Sequence, residues 1–374
     1  MRACGSSRAR RPATAVTAER RTRLAPETFG LPVEKMRDGY YTDAYFNHTR
    51  ETLLHDGRRP QVLMQVFQKR HAWLGGMDEA IAILKLCSHD WDALTVHALY
   101  DGDRIEPWET VMTVEGDYTV FAHLETLYLG VLARRTLVTT NVVEVLRAAK
   151  PKHIIFMPAR HDHWRVQTGD GYAAYLAGRV CGAPVGVTTD EQASWWGGKG
   201  VGTVPHSLIA AYGGDTVLAA SRFADWAPED LNVTVLVDFR NNSVETALEV
   251  ARALGDRLWG VRLDTSETLV DESLLDELGD FKPTGVNERL VRKVREALDA
   301  EGFDRVRIVA SGGFTKEKIV AFEEAGVPVD AYGIGSSLIR GANDYTADIV
   351  ATEGRPSAKV GRRLRPNPRL ELVE

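Results

Sequence analysis

Six short apolar runs recur from residue 153 onward in this 374-residue chain, and each breaks off into polar or glycine residues. They cover residues 153–157, 184–187, 233–237, 258–263, 306–310 and 331–334. Runs that are apolar throughout suit strands covered on both faces, as in a parallel sheet, whereas half-exposed strands alternate. Between them, 243–254 and 288–298 have the 3.6-residue period of crossover helices. The runs end at Arg160, Thr188-Thr189-Asp190, Asp238, Arg262 with Asp264, Ser311-Gly312-Gly313, and Gly333 with Gly335. Barrels of alternating strands and helices gather their active sites at the carboxyl ends of the strands. A full eight-stranded barrel takes about 250 residues. Six strands therefore predict an irregular, incomplete α/β (TIM-like) barrel over residues 151–344.

Residues 29–150 follow another pattern. The stretch 61–67 alternates like a half-buried strand, 77–86 has helical spacing, and 94–100 reads as a further strand. Residues 121–135 read as one helix with Leu124, Leu127, Tyr128 and Val131 on one face. Strands and helices are segregated, as in an α+β domain. The basic segment 354–363 is expected to pack back across this domain, so that 345–374 complete it.

Composition excludes several partners. A net charge of −6 provides no global basic field for nucleic acid. No apolar run approaches the roughly 20 residues that span a bilayer. Cys4, Cys87 and Cys181 have no paired spacing, which suits a reducing, cytoplasmic setting. The first 25 residues are Arg-rich and acid-poor, like an organelle transit peptide or an unstructured upstream extension, and residues 1–28 are expected to lie outside the fold.

Several residues carry chemistry. Gly333-Ile334-Gly335-Ser336-Ser337 follows the last run and is expected to open a helix, whose free N–H groups favour an anion. Ser311-Gly312-Gly313 after the preceding run would complete a phosphate site, since barrels often build one from their last two loops. Two ligand-free turns are the plainer reading. Arg262 and Asp264 share a strand parity and point the same way: arginine can grip a carboxylate with two parallel hydrogen bonds, or the two can form an internal ion pair. His206 opens a further helix after the Gly-rich run 197–202. That run is not a phosphate-binding P-loop, because Gly200 follows Lys199 where Ser or Thr is required. His161 and His163, two apart without partner ligands, fit no zinc pattern. Arg134 and Arg135 could reach an active-site anion or be solvated at a helix end.

Taken in order, Thr42-Asp43-Ala44-Tyr45, Gly202-Thr203-Val204-Pro205-His206-Ser207, Val261-Arg262-Leu263-Asp264-Thr265, Ser311-Gly312-Gly313 and Gly333-Ile334-Gly335-Ser336-Ser337 resemble the motifs of nicotinate phosphoribosyltransferases. The resemblance implies an open-faced α/β sandwich joined to the barrel, assembled as a homodimer with shared active sites. It implies transfer from phosphoribosyl pyrophosphate (PRPP) to nicotinate, with ATP as co-substrate acting through a phosphorylated His206. Arg262 and Arg160 would bind the pyridine carboxylate, and Tyr45 of the second subunit would stack on the ring. Arg70 and the turn residues Ser311, Gly312, Gly313, Gly333, Gly335 and Ser336 would hold phosphate. Asp264 would hold ribose hydroxyls or Mg²⁺ through water, with no direct metal ligand. Met157 replaces an aromatic of relatives, and 161–165 matches no family pattern. An acid at Asp190 facing the substrate would favour nicotinamide. The same motifs leave room for quinolinate transfer or for a non-catalytic phosphosugar-binding relative.

Overall fold

All six apolar runs form strands in the computed structural model, which describes residues 21–228, 231–277 and 279–374. Their spatial order is Val185–Val187, His153–Phe156, Ala331–Ile334, Arg307–Ala310, Gly260–Leu263 and Thr234–Leu236, every pair parallel. The edges are bridged by a short segment that sequence reading passed over. Val201 N donates to Val187 O at 2.7 Å, and Val204 N donates to Thr234 O at 2.8 Å. The strands thus run round in chain order, and residues 201–204 stand in for a missing strand.

Crossover helices cover this barrel. Asn242 caps Ser243–Leu254 by accepting from Glu245 N, and Asn287 caps Glu288–Ala300 by accepting from Leu290 N. In the second helix Leu290, Val291, Val294 and Leu298 are buried against the sheet, each burial worth about 1.5–3 kcal/mol.

The second sheet is antiparallel, in the order Arg355–Pro356, Tyr345–Thr352, Gln61–Gln68, Thr110–Asp117, Leu94–Ala98, Glu371–Leu372. Two stretches after the barrel therefore supply strands on both sides of it. The alternation read at 61–67 proves incomplete, because Gln65 and Phe67, on the opposite face from Val62, Met64 and Val66, are buried as well. The tail covers that second face: Gln65 Nε2 donates to Arg363 O, and Arg365 N donates to Gln65 Oε1, both at 2.9 Å.

The structure moves two sequence-drawn boundaries. The helix expected over 121–135 runs as Glu125–Ala149, with Tyr128 and Leu132 in the antiparallel core and Val138, Val142 and Leu146 in the barrel core. This one helix ends at the division drawn at residue 150, but its second half already packs in the barrel core. At the amino end, residues 1–20 lie outside the described residues, but 21–28 are part of the fold. Arg23 Nη1 is 2.9 Å from Asp78, its Nη2 reaches the carbonyls of Ala98 and Leu99, and Pro26–Phe29 forms a turn of 3-10 helix. The arginines that suggested a detached leader include the anchors of this strap. Among the described residues no helix is long and apolar enough to cross a membrane.

Candidate active site

A cavity of about 910 Å³ opens at the carboxyl ends of the parallel strands. Its wall includes Arg160 after the first strand, Thr188 after the second, Thr203 and His206 beyond the bridging segment, Arg262 and Asp264, Ser311 to Thr315, and Gly333 with Gly335 to Ser337. This follows from the fold: in a parallel barrel every strand points its carboxyl end at the same rim.

His206 is half-buried at the first turn of His206–Ala211, just after Pro205. Its Nε2 lies 3.0 and 3.1 Å from the two oxygens of Asp238, which ends the Thr234–Leu236 run and is nearly buried. The hydrogen bond to Asp238 raises the imidazole pKa; burial opposes this, and the Asp238 and Asp264 charges add to it. With Nε2–H directed at the carboxylate, the neutral ring leaves Nδ1 as its lone-pair nitrogen.

Arg262 is fixed from two sides. Nη1 donates to Thr203 Oγ1 at 2.7 Å, and Nη2 lies 3.4 Å from Asp264 Oδ2. Its buried Nε has no partner among the described residues. The Ser311 hydroxyl lies within hydrogen-bond reach of Asp264 Oδ1 at 2.8 Å and of Leu263 O at 3.0 Å, tying the first glycine turn to the acid.

The two turns need glycine for different reasons. Gly312 and Gly313 have φ of +83° and +68°, in the left-handed region. At Gly333 the constraint is contact: a Cβ would stand 2.9 Å from the Met157 sulfur. The helix expected after Gly335 is only a 3-10 turn, Ser336–Ile339. It is held by Ser337 Oγ donating to Phe314 O at 2.8 Å, so the two turns brace each other.

Ten of the twelve sequence-chosen residues meet here: Arg160, His206, Arg262, Asp264, Ser311, Gly312, Gly313, Gly333, Gly335 and Ser336. Arg70 does not line the cavity; its Nη1 donates to Ala342 O at 2.7 Å, in the loop beyond Arg340. Tyr45 is 60% exposed on the Ala44–His55 helix and does not line the cavity. Asp190 is turned aside, accepting from Gly200 N at 2.8 Å, so it does not face the cavity. Arg134 and Arg135 are neither at a helix end nor at the cavity; mid-helix, both are paired with Asp170. Sequence reasoning missed the pairing of Asp238 with His206, although the strand-end position was visible. It also missed Glu267, His161 and Arg340 as lining groups, for which no local pattern gave a signal.

Known proteins resemble this chain in sequence and in fold. Residues 43–136 match the family model described as quinolinate phosphoribosyl transferase, N-terminal domain. The crystal structure of nicotinate-nucleotide pyrophosphorylase from Pyrococcus furiosus superposes with a TM-score of 0.76 at 31% identity, covering 92% of this chain and 85% of that one. The chain belongs to the type II phosphoribosyltransferase family. Nicotinate phosphoribosyltransferase pncB1 of Mycobacterium tuberculosis is 31% identical over 67% of this chain and 51% of its own length. The chain therefore spans about half the length of that relative. Human nicotinic acid phosphoribosyltransferase, at 19% identity and a TM-score of 0.62 over 84% of this chain and 75% of that one, shares the fold. As in other α/β barrels, the chain gathers polar groups at the strand ends.

Proposed function

We propose that this chain transfers the phosphoribosyl group of PRPP to nicotinate, giving nicotinate mononucleotide and pyrophosphate, with ATP hydrolysis coupled through His206. The reading is carried by one observation: an anchored imidazole, an arginine–aspartate pair and two glycine turns from separate strand ends share one cavity. The pyridine nitrogen attacks the anomeric carbon as the bond to pyrophosphate breaks, its electron pair leaving with the pyrophosphate. Arg262 and Arg160, both lining the cavity, offer donors to the carboxylate and hold the ring in line, where positioning supplies much of the rate. Asp264 accepts from ribose hydroxyls, and its charge favours the cationic ribosyl centre. Asp190 faces Gly200, so no acid at that position repels a carboxylate acceptor, which favours nicotinate over nicotinamide.

Asp264 and Glu267 both line the cavity, while no cluster of three or more potential ligands exists among the described residues. That set suits Mg²⁺ carried largely on the substrate's own oxygens, with these two carboxylates holding its waters. When bound, Mg²⁺ neutralises charge on the departing pyrophosphate.

For ATP coupling, Nδ1 of His206 attacks the terminal phosphorus and ADP leaves, while Asp238 steadies the ring through Nε2. His206→Ala is expected to abolish nicotinate-dependent ATP hydrolysis while slower, ATP-independent transfer persists; normal ATP hydrolysis by the variant would remove the phosphohistidine role. Attack needs the neutral ring, so coupling should rise with pH through the raised imidazole pKa. Asp238→Asn removes the main cause of that rise, so its acidic limb should move to lower pH. An unmoved limb in the pH–rate profile would show that Asp238 does not set it.

Tyr45, which does not line its own cavity, would serve a partner subunit's site in a homodimer; Tyr40 and Tyr41, a few positions earlier in the chain, are exposed as well. The unpaired Cys87 and Cys181 fit a cytoplasmic setting. A quinolinate-using enzyme is the second reading, favoured by the domain match and by three arginines at the cavity, Arg160, Arg262 and Arg340. Assay of the purified protein with nicotinate, nicotinamide and quinolinate, each with PRPP and Mg²⁺, with and without ATP, separates them. Mononucleotide from nicotinate, increased by ATP, is expected; no product from any acceptor would leave a non-catalytic binding protein.

A further inference from the structure

Three cationic or ionisable side chains at the cavity, Arg160, His161 and Arg340, make no side-chain hydrogen bond or ion pair among the described residues. His161 is the one that the chain places most deliberately. It ends the turn Ala159–His161, and Asp162 directly after it is 2.8 Å from Arg134 Nη2. The same guanidinium nitrogen is 2.6 Å from Asp170, whose side chain is only 4% exposed. The turn is therefore fastened to two long helices by a clasp behind it. In front, the imidazole rests against Gly335: a Cβ there would stand 2.6 Å from Cε1 and 3.1 Å from Nδ1 of the ring.

We infer that His161 is a ligand of the 5′-phosphate of the ribosyl donor, held over the Gly335–Ser336 turn by the Asp162–Arg134–Asp170 clasp. The inference rests on the phosphoribosyl reading above. The glycine turns offer neutral amides and hydroxyls, whereas a phosphate dianion is gripped most strongly by charge-assisted donors. Arg340 supplies one such donor from the turn's own loop, and the His161 ring adds an N–H donor to the anion from the neighbouring strand end. Glycine at 335 is what lets the ring come so close. The arrangement leaves Arg160, the residue before His161, for the acceptor carboxylate. Asp162 acts through His161 and is a positioning residue.

Calorimetric titration of the full chain with ribose 5-phosphate tests this without requiring turnover. The wild type should bind it, and His161→Ala should weaken binding about 10- to 100-fold, as expected for one charge-assisted hydrogen bond. Nicotinate affinity should be unchanged, and His161→Gln should recover part of the loss through its amide donor. Asp162→Asn should raise the KM for PRPP with kcat and the thermal midpoint unaltered. Ribose 5-phosphate affinity that is unchanged in His161→Ala, or absent in the wild type, overturns the assignment. Binding that depends on His161 in a protein that forms no mononucleotide would refute the transferase reading and leave this ligand in place.

Discussion

Replacing Arg262 by alanine is expected to raise the nicotinate KM and lower kcat/KM by about 100- to 1000-fold, the cost of removing one partner from a desolvated charge pair. The guanidinium is only 16% exposed, and Thr203 and the neighbouring Asp264 hold it toward the cavity. Its removal withdraws the acceptor's carboxylate anchor and leaves Asp264 without its nearest cation. The repulsion that Arg262 screens then falls directly on a nicotinate anion. Lysine at this position should recover little, because a point charge cannot reproduce the planar fork. Steady-state kinetics with nicotinate varied at saturating PRPP decide the matter; an unchanged KM would remove Arg262 from the acceptor pocket.

Asp170→Ala is expected to cost about 3–5 kcal/mol of stability, the usual result of stripping one partner from a buried ion-pair network. Asp170 accepts from Arg134 at 3.1 and 2.6 Å and from Arg135 at 3.1 Å, and Arg135 continues to Glu79 at 3.0 Å. These contacts join Met77–Cys87, Glu125–Ala149 and Gln167–Cys181, so one carboxylate links three helices. The variant would leave Arg135, 13% exposed, with Glu79 alone. Asp170→Asn keeps an acceptor oxygen and should lose less, about 1–3 kcal/mol. Urea unfolding measures both; a midpoint for the alanine variant equal to the wild type would show that the network contributes nothing net.

The parts of this molecule that can be read from its sequence are those governed by local rules. Continuous apolar runs such as 306–310 announce strands buried on both faces, and glycines after them announce turns with close contacts. Arg262 and Asp264 are legible because strand parity is a two-residue property. What escapes depends on contacts between distant segments. Asp238 looks like any polar strand end until the fold sets it beside His206. Residues 201–204 form no recognisable strand, yet they close the barrel because two edges lie within reach. Gln65 reads as solvent-facing because nothing near it in sequence predicts a tail, some 300 positions away, whose backbone satisfies its amide. Arg23 belongs to a compositionally odd leader, and only Asp78 and the Leu99 carbonyl reveal its place. The helix through residue 149 reads short because its buried face changes partners midway, which blurs a single hydrophobic stripe.

The strand Gln61–Gln68 pairs along one edge with Thr110–Asp117 and along the other with Tyr345–Thr352, in a register running from Val62 opposite Thr352 to Gln68 opposite Tyr345. During synthesis the first neighbour emerges soon after the strand, but the second is made only after every barrel strand. The early sheet must wait with an unsealed border while the later-made barrel already holds all the segments it needs, an inversion of the order in which domains usually mature. Released chains truncated near residue 340 would thus carry a finished barrel rim beside a raw strand border, the kind of surface that chaperones cover and that otherwise recruits other unfinished copies.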